Sequence, residues 1–179
     1  MLASLFRRRR ASDEALALYA TAAAQARQEV FYRSLGVPDS IDGRFDLLAL
    51  HLWLLLRRLK GEPAAERLSQ DLVEVFFAAM DVSLREIGAA DIGVGRRVKR
   101  MIEAFYGRAA AYDAALAAGG TALEDALARN LYGTVGASPA ALSAMSGYVR
   151  EAEARLNAWP PAELLAGRVP FPPPPEAAP

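Results

Sequence analysis

Apolar residues recur along this chain at intervals of three and four, the period of an amphipathic helix, and no stretch alternates convincingly with the period of a strand. In the most apolar stretch, residues 44–59, Leu, Phe and Trp fill most of the helical wheel. Arg44, His51 and Arg58, each seven positions from the last, form a narrow polar line on that helix. A helix with so much apolar surface must be surrounded, so we predict that it is the central helix of a bundle.

The apolar run within this helix is too short to cross a membrane. It covers residues 45–56, is interrupted by Asp46 and His51, and is closed by Arg57 and Arg58. A bilayer requires about 20 apolar residues in succession. No later stretch reaches that length, and the N-terminus lacks the apolar region of a secretory signal. We therefore expect a cytoplasmic protein.

Turn and capping residues divide the chain into about six predicted helices. Ser12 and Ser138, the latter followed by a proline, are typical helix N-caps, and Thr121 with Glu124 has the spacing of a capping box. Gly107 falls within a predicted helix, where it indicates the close approach of another backbone. The predicted helices cover 12–35, 44–60, 68–87, 94–118, 121–132 and 138–157.

The chain is predicted to be an all-α, single-domain bundle. At 179 residues it has no linker-like stretch in its middle, so we place one helical domain at 12–168. The segment 1–11 contains four consecutive arginines and is predicted to be a disordered basic N-terminus, with contact to an anionic membrane as the alternative. The proline-rich tail, 169–179, is expected to bury nothing.

Composition excludes most familiar kinds of site. The 21 basic and 21 acidic residues cancel, so no overall field attracts nucleic acid, and we predict no nucleic-acid partner. The absence of cysteine excludes thiol catalysis and cysteine-ligated metals, and a single histidine leaves no His-rich metal site. We predict no catalytic residue, no metal and no cofactor.

Acidic residues on and after the third predicted helix are candidate partners for the polar line. Pairing with its arginines inside the bundle would fix the central helix against the third. The simpler interpretation is an exposed pair between Asp81 and Arg85, four residues apart. His51 is interpreted as a structural core residue rather than an acid-base group. The predicted structural network comprises Arg44, His51, Arg58, Asp81, Arg85, Glu86 and Asp91.

The predicted connection at residues 88–94, the adjacent surfaces of the third and fourth predicted helices and the basic run after the connection form a candidate binding surface. A loop that carries apolar residues between glycines can expose them to a partner. The basic run can orient the protein toward a lipid surface or a partner, although Glu103 partly neutralises it and favours an ordinary solvated face. The predicted partner-binding residues are Ile92, Val94, Arg96, Arg97 and Arg100.

Several short pieces of the sequence form an ordered set that covers roughly residues 30–116. The pieces are Phe31-Tyr32, Val37-Pro38-Asp39, Asp42-Gly43-Arg44-Phe45, Leu50-His51, Met80-Asp81, Leu84-Arg85-Glu86, Gly88, Asp91-Ile92, Val94, Phe105-Tyr106-Gly107-Arg108 and Tyr112. In this order they resemble the ubiquinol-cytochrome c chaperone family, in particular its compact bacterial members. The resemblance implies a helical assembly factor for respiratory complex III, and the mitochondrial members bind newly made cytochrome b together with a small partner protein.

The resemblance implies a non-enzymatic chaperone that holds a hydrophobic client, cytochrome b or another complex III subunit, at the inner face of the cytoplasmic membrane. An anionic membrane surface is a further expected partner, and whether a small partner protein is needed stays open. Two other classes also stay open. An enzyme would need an enclosed pocket with His51 in its wall. A lipid- or haem-handling helical module would need a continuous apolar cavity, with His51 as the candidate haem ligand.

Overall fold

The structure, a computed structural model, describes residues 11–86, 91–133 and 135–175, and these form helices joined by short turns. The described ranges contain no strand, which confirms the predicted all-α class. Within them, no helix is both long enough and apolar enough to span a bilayer. The helices are α1 (Asp13–Ala26), α2 (Glu29–Arg33), α3 (Ile41–Lys60), α4 (Glu66–Glu86), α5 (Asp91–Ala118), α6 (Ala122–Asn130), α7 (Pro139–Ala158) and α8 (Pro161–Leu165), with a 3-10 turn at Pro63–Ala65.

Helix α3 lies at the centre and packs against α1, α4, α5 and α7. Every residue from Leu47 to Leu55 is buried, a stretch of more than two turns with no face toward water. The prediction of a surrounded central helix is therefore confirmed. Because α3 is enclosed, its neighbours are arranged around it as a single core.

Three helices start where the capping signals predicted, but only two of the three predicted capping bonds form. The hydroxyls of Ser12 and Ser138 accept hydrogen bonds from the amides of Ala15 (3.2 Å) and Ala141 (3.1 Å), as predicted. Thr121 makes no such bond, because its backbone is already helical (φ −86°, ψ 0°) and a capping side chain needs an extended backbone. The capping box is therefore absent from α6.

The first predicted helix is two helices. Helix α1 ends at Ala26 and α2 begins at Glu29, because Gln28 is extended (φ −63°, ψ 127°). The break lets Phe31 reach the core, where it is fully buried. No glycine or proline marks this position, so the sequence carries no local signal for it.

The first residues of the proline-rich tail pack against the bundle. This corrects the prediction that the tail buries nothing. The Phe171 ring lies 5.2 Å from the ring of His51, and Pro172 is buried. The Pro172 carbonyl accepts a hydrogen bond of 2.7 Å from Nε2 of Gln25 on α1. The Phe171 ring and the Pro172 carbonyl thus attach the start of the tail to the bundle, although its composition had predicted full exposure to solvent. The predicted disordered N-terminus, apart from Ala11, and residues 176–179 lie outside the described residues.

Two glycines in helices have opposite surroundings. A Cβ at Gly43, in the first turn of α3, would lie 2.1 Å from the carbonyl oxygen of Pro38, so only glycine lets the preceding segment fold back onto the helix. A Cβ at Gly107 would meet nothing within 4 Å. The close backbone approach predicted at Gly107 is therefore wrong.

Gly43→Ala is expected to lower the free energy of unfolding by about 2 kcal/mol or more, because the new methyl group would displace the Pro38 backbone. Gly107→Ala is the matched control and should raise it by about 1 kcal/mol through helix propensity alone. Urea denaturation followed by circular dichroism measures both. Equal effects of the two substitutions would contradict the contact at Gly43.

Candidate functional site

An apolar groove of about 650 Å³ lies between α1, α2, α4 and the first half of α3, with α5 at one end. We call it the tyrosine groove, after Tyr19 and Tyr32 on its rim. Its floor consists of apolar side chains, five of them buried. The floor residues are Ala23, Ala26, Phe45, Leu48, Met80, Leu84 and Met101, and the other lining residues are Tyr19, Arg27, Glu29, Tyr32, Arg33, Asp39, Ile41, Arg44 and Ser83.

Small and large side chains together shape this floor. Ala23 and Ala26 on α1 are short, which leaves room beside α3 for a depression. The Phe45 ring stacks on the Phe76 ring at 5.7 Å and is thereby fixed from beneath by the core. The floor is thus a depression continuous with the core, where Met80 and Met101 are the more exposed side chains.

The charges on the rim largely neutralise one another. Arg33 pairs with Glu29 at 2.6 Å, and Arg44 pairs with Asp39 at 2.6 Å. The hydrogen bond from Arg44 lowers the pKa of the Asp39 carboxyl, which therefore stays ionised. Arg27 is exposed and forms no ion pair with any described residue. The rim therefore carries little net charge around an apolar floor.

The polar line on α3 does not form one network. Seven-residue spacing over 14 residues extends about 21 Å along a helix, so its members meet different neighbours. Arg44 lies at the rim of the tyrosine groove, whereas Arg58 pairs with Glu62 at 2.7 Å and donates from Nε to the carbonyl of Leu156 at 2.9 Å. Arg58 therefore connects α3 to the end of α7, not to α4.

The predicted pairing of Asp81 with the arginines of α3 is wrong. Asp81 accepts a hydrogen bond of 2.8 Å from Nε of Arg85, one turn further along α4. This is the simpler interpretation that the spacing allowed. The side chains of Glu86 and Asp91, the other predicted acidic partners, lie outside the described residues.

His51 is sealed in the core. Its Nδ1 lies 2.8 Å from the Leu47 carbonyl and its Nε2 lies 2.7 Å from the Tyr148 hydroxyl, which also accepts a bond of 3.0 Å from Gln25. Burial lowers the pKa of His51 to about 4, so the ring is neutral near pH 7. Both ring nitrogens are engaged, and His51 does not line the tyrosine groove. Its position fits the structural interpretation and joins α1, α3 and α7.

A partly buried ion pair that sequence analysis missed joins α3 to α5. Nη2 of Arg108 lies 2.8 Å from Oδ1 of Asp46, and Nε of Arg108 donates to the carbonyl of Asn130 at 3.2 Å. Arg108 and Asp46 are close enough for an ion pair, but the Oδ1 atom of Asp46 accepts no well-aligned hydrogen bond. Burial raises the pKa of Asp46 to about 6, and the Arg108 charge opposes that rise. The partners are 62 positions apart, so no local spacing signals the pair.

From Asp91 onward, the predicted loop is helical. Helix α5 begins at Asp91, so Ile92 and Val94 belong to its first turn, and their side chains lie outside the described residues. Arg96 and Arg100 are exposed and Arg97 is half-buried. Lys99 lies 3.8 Å from Glu103, whereas those three arginines form no ion pair with described residues. The next residue, Met101, lines the tyrosine groove, so the basic face lies beside it.

A second, more open groove of about 770 Å³ lies at the other end of α3. We call it the glutamate groove, after Glu66 and Glu74 on α4. It is formed by the end of α3, the 3-10 turn and the first half of α4, with Tyr106 of α5 at its edge. His51 lies outside this groove as well.

Comparison with known proteins gives three concordant matches. The family model described as ubiquinol-cytochrome C chaperone matches residues 33–171. Ubiquinol-cytochrome-c reductase complex assembly factor 1 of Xenopus laevis is 25% identical over 152 residues, which cover 84% of this chain and 76% of that protein. The crystal structure of the Cbp3 homolog from Brucella abortus superposes with a TM-score of 0.79 at 39% identity and covers 88% of each chain.

Asp46→Asn is expected to change the dependence of stability on pH. A carboxyl whose pKa is raised to about 6 in the fold stabilises the protein at low pH, and this contribution is lost as pH rises through about 6. The free energy of unfolding of the variant should therefore rise relative to wild type, on the order of 1 kcal/mol between about pH 5 and about pH 8. Denaturant titrations across this range measure the difference.

The low pKa of His51 acts in the opposite sense, since its contribution is present above pH 6.5 and lost as pH falls toward about 4. The contribution of His51 is the same in the wild type and in the Asp46→Asn variant, so it cancels when their stabilities are compared. Asp39→Asn, which removes an exposed carboxyl of lowered pKa, is the control and should show no such rise. A pH-independent difference for Asp46→Asn would contradict the raised pKa.

Proposed function

Since this chain belongs to the ubiquinol-cytochrome C chaperone family, we propose that it is a non-enzymatic assembly chaperone for the ubiquinol-cytochrome c reductase complex whose tyrosine groove receives an apolar segment of the client. The observation that carries this proposal is a groove with an apolar floor that is continuous with the core, inside a rim whose charges are mostly paired with one another. Such a surface gains free energy when apolar groups cover it.

The composition of the groove suits a client segment of varied sequence. Met80 and Met101 contribute flexible thioether side chains that adapt to different apolar partners. Tyr19 is half-buried and offers a ring face together with a polar hydroxyl. The Tyr32 hydroxyl already donates to the Ala26 carbonyl at 2.6 Å, and the Arg44 guanidinium lies 6.0 Å from the centre of its ring. These properties favour a membrane-protein segment in transit over a small ligand that requires one fixed geometry.

The proposed client is newly made cytochrome b, with another subunit of the reductase complex as the alternative. A polytopic subunit carries long apolar helices that must be shielded before it is assembled. The Xenopus laevis relative is named as an assembly factor of the reductase complex, which supports a client from that complex. The apolar floor of the tyrosine groove favours an apolar segment of that client.

We further propose that the protein is cytoplasmic and binds peripherally to the inner face of the membrane through the first turns of α5. Arg96, Arg97 and Arg100 have no ion-pair partner among the described residues, and they lie beside the groove. Anionic headgroups attract such arginines. Ile92 and Val94 precede them on the same helix and are proposed to extend the contact surface.

The alternative role is a helical module that handles lipid. The groove volume of about 650 Å³ lies within the range of small-molecule sites, and its floor is apolar enough for an acyl chain. Haem binding through His51 receives no such support, because both ring nitrogens already have partners in the core. Phospholipid extraction from the purified protein distinguishes the two roles: stoichiometric lipid without reductase subunits would favour the lipid module.

Ile41→Asp tests the client groove. Ile41 is 47% exposed at the rim, and an acidic residue in the first turn of a helix is compatible with the fold. We expect about tenfold less cytochrome b to co-purify with the tagged full-length variant, because the new carboxylate must be desolvated when the client binds. Quantitative mass spectrometry of the bound proteins measures the loss.

Leu16→Asp is the matched control, because Leu16 is also 47% exposed and lines neither groove. It should retain the client at the wild-type level. Circular dichroism checks that both variants remain folded. If both variants retained the client equally, the tyrosine groove would not be its binding site.

Neutralising Arg96, Arg97 and Arg100 together with glutamine tests membrane binding. Each arginine near an anionic surface contributes about 1 kcal/mol, so partitioning onto vesicles with about 30% anionic lipid should fall by about two orders of magnitude. Vesicle sedimentation measures the bound fraction. The same change at Arg129, Arg150 and Arg155, on α6 and α7, should have little effect. Unchanged partitioning of the first variant would remove the basic face from the proposal.

A further inference from the structure

The charged residues of the tyrosine groove are mostly paired, whereas two carboxylates of the glutamate groove are not paired with described residues. Glu66 and Glu74 are exposed, and neither forms an ion pair with a described residue. They are eight positions apart on α4, which separates them by about 12 Å along the helix axis. Glu62, also on the rim, is already paired with Arg58. Two carboxylates two turns apart are therefore available to an incoming partner.

Apolar side chains lie between these carboxylates and the opposite wall. Leu59 is buried, and Leu56 and Val73 are half-buried, so the floor is continuous with the core. Lys60 is exposed on the α3 side and is also without an ion-pair partner among the described residues. The groove thus combines an apolar strip with carboxylates along α4 and one ammonium group across from them.

Tyr106 supplies an exposed aromatic side chain at the edge of this groove. It is 53% exposed, although its ring packs edge-on against the Phe105 ring at 5.3 Å. Phe105 is only 2% exposed, so the tyrosine is supported by the core. A preordered, exposed tyrosine beside an apolar strip is typical of residues that dominate protein interfaces.

We propose that the glutamate groove is a docking surface for a cationic amphipathic helix of a partner protein. The apolar stripe of that helix covers Leu56, Leu59 and Val73, and two lysines or arginines about two turns apart pair with Glu66 and Glu74. A wholly apolar segment does not fit, because it would desolvate both carboxylates without compensation. The two grooves therefore take different occupants: an apolar client segment and a cationic helix.

Synthetic helical peptides of about 16 residues provide the probes. One has a leucine stripe flanked by lysines two turns apart, a second replaces the lysines with glutamates, and a third scrambles the first. We expect the full-length protein to bind the lysine peptide only, with an affinity that falls as salt rises. Fluorescence anisotropy measures the dissociation constants.

Substitutions in the glutamate groove test whether the lysine peptide binds there. The double variant Glu66→Gln and Glu74→Gln, and separately Tyr106→Ala, should each weaken binding of the lysine peptide by about tenfold or more. The control double variant Glu14→Gln and Asp125→Asn removes two exposed carboxylates outside both grooves and should leave binding unchanged.

Ile41→Asp, in the tyrosine groove, should also leave peptide binding unchanged, so that failure of the client proposal and failure of this one are distinguishable. Absence of binding to the lysine peptide would overturn the proposal, as would equal binding of the glutamate peptide or of the Glu66→Gln, Glu74→Gln variant. Self-association of the wild-type protein that depends on Glu66 and Glu74 would assign the groove to a second copy of the chain instead.

Discussion

The enclosure of α3 is the constraint on which the rest of the structure depends. Because every residue from Leu47 to Leu55 is buried, this helix has no water-facing side, and the surrounding helices must cover it completely. The buried His51 must then find both of its hydrogen-bond partners inside the protein. It finds them in Leu47 and Tyr148, and Gln25 and the C-terminal segment complete the same network.

Polar side chains toward the two ends of α3 determine which neighbour lies on which side. Asp46 pairs with Arg108 on α5, whereas Arg57 pairs at 2.7 Å with Asp113 on α5 and at 3.0 Å with Glu153 on α7. Apolar contacts tolerate sliding, but an unpaired, partly buried charge is costly, so these pairs favour one register over others. The raised pKa of Asp46 shows that burial opposes part of this pairing.

The two grooves lie at opposite ends of this arrangement and differ in how their charges are satisfied. Arg44 and Asp39 pair with each other at the tyrosine groove, and the apolar floor is the dominant feature there. Glu66 and Glu74 have no such partners among the described residues. The two ends of α3 therefore carry surfaces of different chemistry.

The sequence by itself determined the all-α class, the enclosed central helix, the Ser12 and Ser138 caps and the resemblance to the family, because periodicity, capping and short motifs are local properties. Tertiary structure decided the break before α2, the docking of Phe171 and the separate destinations of Arg44 and Arg58. It also decided the grooves and the Asp46 ion pair. These features depend on residues far apart in the chain, which helical spacing cannot bring together until the helices pack.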